Sequence, residues 1–229
     1  MTSYYNNENK NLENIKFMIK TASENGAKLL VFPEAMNNGY IFKDKEDALN
    51  LATTLSGNFC TEIQREAKDK RVYIAIGLVE KSGEEVYNST ILIDWEGKIV
   101  ARYQKNFLIS GDQNYFSYGK LGFPVVSTEL GKIGFFICAD GRLMESTRCS
   151  AVQGADILIS TANWGGEDQY RLHVPCRAYE NNVWIAAATK VGKEKGIKYT
   201  GCSSIINPEG KIVAQAGTSN DEIIYAEIH

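Results

Sequence analysis

The chain has 229 residues, 44% of them hydrophobic, enough for a sizeable core. Its net charge of -3, from 25 basic and 28 acidic residues, gives no electrostatic footprint for nucleic acid or an anionic membrane. Five cysteines without CxxC spacing argue for a reducing compartment, and two histidines, His173 and His229, are too few for a histidine-rich metal site.

In chain order, the first dozen residues have neither a basic nor an apolar leader-like run, and no later run is long enough to span a bilayer. A cytoplasmic protein is expected. Leu12, Ile15, Met18, Ile19 and Ala22 recur at helical spacing, and Gly26 closes that helix. Lys28 to Phe32 predicts a buried strand ending at Pro33-Glu34. A helical region follows over about 47–70, interrupted near Ser56-Gly57. Strands are predicted at 71–79, 86–93 and 98–103, with a hairpin turn at Asp94 to Gly97. The second half predicts strands at 123–127, 133–137 and 157–160, then a helix over 168–182. Strands at 183–189, 202–206, 211–216 and 223–228 complete it. No Pro- or Ser-rich linker divides the chain, so residues 1–229 read as a single domain of mixed α/β class, in which two sheets covered by helices would fit.

The stretch Ile133 to Ile137 delivers Cys138 to a polar turn. Leu143, Met144, Ala151 and Val152 fall where a following helix would bury them, and the helix N–H groups would stabilise a thiolate. With so few histidines, the base for such a thiol is expected to be a carboxylate. His173 lies inside a predicted helix and reads as a packing residue. Glu34 and Lys105 also stand at the ends of apolar strands, where an α/β sheet presents side chains to ligands. Singly, each reads as a small core residue or a solvated strand terminus; together they suggest a site.

The motifs Phe32-Pro-Glu34, Tyr103-Gln-Lys105 and Gly134-Phe-Phe-Ile-Cys138-Ala-Asp-Gly-Arg142, in that order, resemble the three signatures of the nitrilase or carbon-nitrogen hydrolase superfamily. Gly39-Tyr40, Tyr87-Asn-Ser89, Arg177-Ala-Tyr-Glu-Asn181 and Asn207-Pro-Glu-Gly210 agree with it. The texture between the motifs is nearest to the amidase and N-carbamoyl amino acid hydrolase branches.

The resemblance implies a four-layer αββα sandwich of two mixed sheets, with a first strand expected ahead of Thr2 and an extension beyond His229, neither of which the chain contains. It implies that Glu34 is a general base, that Cys138 attacks an amide or carbamoyl carbon to form a thioester, and that Lys105 and the N–H of Ala139 hold the oxyanion. No metal or organic cofactor is required. The partners implied are a small amide or N-carbamoyl substrate and a second copy of the chain, meeting through the region from Arg177 to Val191. Asn163 and Trp164 are candidate substrate contacts, Trp164 equally a packed aromatic. Arg142 is a further candidate that could clamp a substrate carboxylate, although pairing with Asp140 or Glu145 is preferred. Asp112, a supporting candidate, stands where the family carries a second glutamate; it keeps the charge but is one methylene shorter, so contact with Lys105 could be lost or could pass through water. The alternative function is a nitrilase-like scaffold that binds or assembles without turnover. A histidine-dependent protease using His173 is a distant third reading.

Overall fold

The computed structural model describes residues 1–109 and 111–229. Helix α1 spans Glu8–Glu24, its first turn capped by the side chain of Asn7, and it buries the predicted row of Leu12, Ile15, Ile19 and Ala22. Strand β1, Leu29–Val31, follows. Helices α2, Lys45–Leu51, and α3, Asn58–Lys70, resolve the interrupted helical region. Strands β2, Tyr73–Ser82, β3, Glu85–Ile93, and β4, Ile99–Gln104, form a meander. The turn before β4 is held as its sequence predicts, with Asp94 accepting from the N–H groups of Glu96 at 2.9 Å and Lys98 at 2.8 Å.

In the second half, β5, Val125–Thr128, pairs with β6, Gly131–Ile137. Helix α4 is Met144–Ala151 and strand β7 is Ile157–Ala162. A π-helical turn at Gln169–His173 leads into α5, Val174–Asn181, and β8 is Trp184–Thr189. A hairpin of β9, Val191–Glu194, and β10, Ile197–Thr200, precedes β11, Ser204–Ile206, and β12, Ile212–Gln215.

One sheet runs β1-β2-β3-β4, parallel only between β1 and β2. The other runs β12-β11-β8-β7-β6-β5 and is parallel through β6, β7 and β8. Tyr73, Ala75, Leu92 and Tyr103 from the first meet Ile133, Phe135, Ile137, Ile157 and Ile159 from the second, a dry layer between the sheets. Helices α1 and α3 cover the outer face of the first sheet, and α5 packs Val174 and Ala178 onto the second. The order of layers is therefore α, β, β, α.

Three sequence expectations need correction. The segment 223–228 forms no strand; it lines a cavity of about 520 Å³, and no ladder partner reaches it among the described residues. That cavity is lined by Met1, by β1 at the end of its sheet, and by Ala186 to Ala188, away from the cysteine. Helix α4 is turned the other way from its expected orientation. It buries Ser146, Thr147 and Ser150, while Met144 and Val152 are 54% and 75% exposed and Leu143 is also at the surface. Small polar side chains allow close approach to the sheet: a Cβ on Gly134 would lie 2.7 Å from the Cβ of Ser150. The β9–β10 hairpin is absent from the sequence expectations; its turn residues, Lys195 and Gly196, both have positive φ, as a tight hairpin turn requires.

Candidate active site

Glu34, Lys105 and Cys138 come to the sequence ends of β1, β4 and β6, on the neighbouring ends of two facing sheets. Lys105 is 1% exposed, and its ammonium lies 3.3 Å from Glu34 Oε1, 2.8 Å from Asp112 Oδ2 and 3.3 Å from the hydroxyl of Tyr40. Tyr40 in turn donates to Asp112 Oδ1. The contact that a shorter side chain could have lost is thus made directly. A short 3-10 turn, Asp112–Asn114, brings its carboxylate in directly, and that carboxylate also accepts from Ile109 N–H at 3.3 Å.

Glu34 is fully buried, and Asn88 donates to its Oε1 at 2.5 Å. The backbone before it passes so close to β2 that only glycine fits opposite: a Cβ on Gly77 would lie 2.5 Å from Glu34 Cα. Burial alone would lower the Lys105 pKa, but Glu34, Tyr40, Cys138 and Asp112 outweigh it and hold the ammonium well above its usual range.

Cys138 opens a 3-10 turn, Cys138–Arg142, with φ of +46°, a left-handed conformation that L side chains rarely adopt. Burial, and then the charge of Glu34, push its thiol up to about 12, against the pull of Lys105 and a hydrogen bond from the backbone N–H of Asn163. The expected thiolate stabilised by a following helix is therefore not what the fold builds. A neutral thiol beside a buried carboxylate needs a base at the moment of attack.

The turn is braced by Asp140, whose Oδ2 accepts from Ile137 N–H at 2.9 Å and Tyr103 hydroxyl at 2.7 Å, and whose Oδ1 accepts from Phe107 N–H at 2.8 Å. One carboxylate thus ties the cysteine turn to both sides of Lys105. Burial raises Asp140 to about 6 despite Lys105 and these donors. Arg177 adds a brace, donating to the carbonyls of Gly141 at 3.0 Å and Arg142 at 3.3 Å. Ala139, next to the cysteine, is 2% exposed.

The remaining candidates divide. With its amide nitrogen turned to the acceptors, Asn163 donates to the carbonyls of Glu34 at 3.3 Å and Ala162 at 2.9 Å, so its side chain supports the site from behind. Trp164 is 1% exposed and packs on Tyr170, with its indole N–H unpartnered. Arg142 lies on the surface and pairs with Asp168 at 3.0 Å, not with Asp140 or Glu145. His173 faces Asp168 at 3.5 Å. Asp140, Tyr40 and Asn88 were missed as site residues by sequence reasoning, although each lies within or beside a motif that it singled out. No cluster that could hold a metal ion occurs among the described residues.

Comparison with known proteins now bears on this geometry. The carbon-nitrogen hydrolase family matches residues 1–229. The chain belongs to that family. A nitrilase of Pyrococcus abyssi is 35% identical over 96% of this carbon-nitrogen hydrolase and 83% of the relative. A citrullinase of Francisella tularensis is 29% identical over 98% of the chain and 85% of the relative. An N-carbamoylputrescine amidase of Solanum lycopersicum is 29% identical over 95% and 80%. Among solved structures, an amidase from Nesterenkonia sp. superposes with a TM-score of 0.84 at 25% identity, covering 95% of this carbon-nitrogen hydrolase and 84% of that chain. The expected family and αββα fold are therefore correct. No helix among the described residues is long and apolar enough to cross a membrane.

Proposed function

We propose that residues 1–229 form one carbon-nitrogen hydrolase domain that cleaves a small amide or N-carbamoyl compound through a thioester on Cys138. The observation that carries this reading is the Lys105 ammonium, held between the carboxylates of Glu34 at 3.3 Å and Asp112 at 2.8 Å beside the half-buried thiol of Cys138. Glu34 accepts the thiol proton as sulfur attacks the substrate carbon. The electron pair of the C=O bond moves onto oxygen, where Lys105 and the N–H of Ala139 stabilise it. Collapse of the tetrahedral intermediate expels ammonia or amine, which takes the proton from Glu34. Glu34 then removes a proton from water, whose oxygen attacks the thioester and releases the acid and the thiol.

Asp112 and Tyr40 orient Lys105 and need not touch the substrate. The amide-directed names of the relatives support the substrate class. A scaffold without turnover draws support from the altered second carboxylate, but Asp112 makes the contact that such a glutamate would be needed for.

The test is ammonia release from a panel of small aliphatic amides and N-carbamoyl amines, with acid-quenched mass spectrometry of the chain. Turnover, a substrate-derived mass on Cys138, and loss of both in Cys138→Ala and Glu34→Gln are expected. Turnover that survives Cys138→Ala would overturn the mechanism. We also propose a cytoplasmic homodimer that pairs across the region 177–191, where Tyr179 on α5 is 70% exposed. Light scattering at micromolar concentration that shows only the 25.5 kDa chain would reject it.

A further inference from the structure

A second buried ion pair stands behind the first. Lys190 follows β8, and Glu194 ends β9; their side chains are 1% and 4% exposed, and the charged groups are 3.6 Å apart. Glu194 Oε1 accepts from two successive backbone N–H groups, those of Tyr40 at 2.7 Å and Ile41 at 2.6 Å. Its Oε2 accepts from the Tyr199 hydroxyl at 3.4 Å. Lys190 donates to the carbonyl of Ala35 at 3.4 Å. Ala35, directly after Glu34, has φ of +53°, and Gly39, directly before Tyr40, has φ of +86°. A Cβ at Gly39 would lie 2.9 Å from Glu194 Oε1, so the glycine makes room for the carboxylate.

These contacts grip the two ends of one irregular segment, 34–41. Its middle is tied elsewhere, by Asn37 to β2 and Asn38 to the end of α2. Its ends are what matter for chemistry, because Glu34 and Tyr40 both meet Lys105. Replacing a buried ion pair with apolar residues of similar size is often neutral or stabilising, so stability alone is a weak reason for this one. Directional hydrogen bonds to a segment that lies outside helix and strand are a better reason.

We propose that Lys190 and Glu194 are positioning residues, whose buried pair sets the ends of segment 34–41 so that Glu34 and Tyr40 close on Lys105. The β9–β10 hairpin is then the back wall of the site. The inference rests on the proposed thiol mechanism for its effect on turnover, but the geometry it asserts has a readout of its own. Lys190 is faced by Glu194, Glu34, Tyr199 and the amino terminus of Met1; burial lowers it, and the two carboxylates oppose that. A loosened segment would admit more water to the half-buried thiol and let Glu34 draw back, which weakens the two causes that suppress its ionisation.

The experiment compares wild type with Lys190→Met, Glu194→Gln and the double variant. In the double variant no charge is left unpaired, and the amide oxygen introduced by Glu194→Gln can still accept from the N–H groups of Tyr40 and Ile41. Each single variant is expected to lower kcat about tenfold to hundredfold with KM within about threefold. Each is also expected to speed iodoacetamide alkylation of Cys138 at pH 8.5 by about tenfold. The double variant leaves no unpaired charge but lacks the Lys190 donation to Ala35, so it should stay impaired in both readouts; recovery to within twofold of wild type would show that the single variants report only an uncompensated buried charge. If the variants melt lower but leave kcat and the alkylation rate within twofold of wild type, the pair is only structural and the proposal is overturned. Should Lys190→Met not fold, Glu194→Gln and the double variant decide. If wild type turns over no amide, the mechanism has failed, and the alkylation rates still decide the positioning role.

Discussion

Replacing Lys105 with methionine removes one positive charge from between two buried carboxylates while keeping most of the side chain's volume. In an effective dielectric of about 20, a unit pair at 3.3 Å is worth about 5 kcal/mol and one at 2.8 Å about 6 kcal/mol. Most of that sum offsets the desolvation of the charges, so the relevant figure is the loss on breaking a buried pair, about 3–5 kcal/mol. For a chain of this size each kcal/mol moves Tm by about 2–4 °C, giving an expected fall of about 6–20 °C. Circular dichroism melts at pH 8 provide the assay. Adding Asp112→Asn to Lys105→Met should restore at least about 1 kcal/mol, because it removes one uncompensated charge. A Tm for Lys105→Met within 2 °C of wild type at pH 8, or a further fall on adding Asp112→Asn, would refute the electrostatic account of the site.

Tyr40→Phe deletes the hydroxyl shared by Asp112 and Lys105, and kcat should drop about tenfold with Tm almost unchanged, as steady-state kinetics and a melt will show. Gly77→Ala drives a methyl into the backbone at Glu34, and urea unfolding should show a loss above about 2 kcal/mol. Asp140 is raised from 3.8 to about 6, so its stability contribution is complete below 3.8 and is lost as pH rises through about 6. Asp140→Asn should flatten that part of the urea-midpoint profile between pH 4 and 7, on top of a constant loss from the missing acceptor. A thiol at about 12, against about 8.5 for an ordinary cysteine, should make Cys138 alkylate about 50–100-fold slower than glutathione at pH 7.5 after its greater intrinsic nucleophilicity is allowed for. A faster reaction than the standard would mean that the resting site holds a thiolate.

Residues that act through type and place were legible in the sequence. Glu34, Lys105 and Cys138 sit at strand ends, and the alternation of apolar runs placed those ends near their observed positions. The turn at Asp94 to Gly97 was legible because its side-chain bonds are local. What escaped was set by partners distant in sequence. Asp112 could have been too short only because the reach of its turn is not written in its own neighbours. The orientation of α4 followed shape, since Ser150 fits closely against Gly134 and Ser146 bonds back to the carbonyls of Asp140 and Leu143. Arg142 found Asp168, on a segment 26 residues away, in place of its nearer carboxylates. Segment 223–228 has a strand's composition, but composition cannot supply the neighbouring backbone that a strand requires. The hairpin that carries Glu194 was not expected at all, and its short strands of four residues each give little alternation to read.

The left-handed backbone at Cys138 sets conformational preference against chemistry at a single position. For any residue with a Cβ, that conformation costs about 1–2 kcal/mol, a penalty glycine escapes. Cys138→Ala and Cys138→Ser carry the same backbone burden as the native residue, so their melts should report on the sulfur alone. Cys138→Gly relieves it and should be the variant that keeps the fold most readily while ending the chemistry.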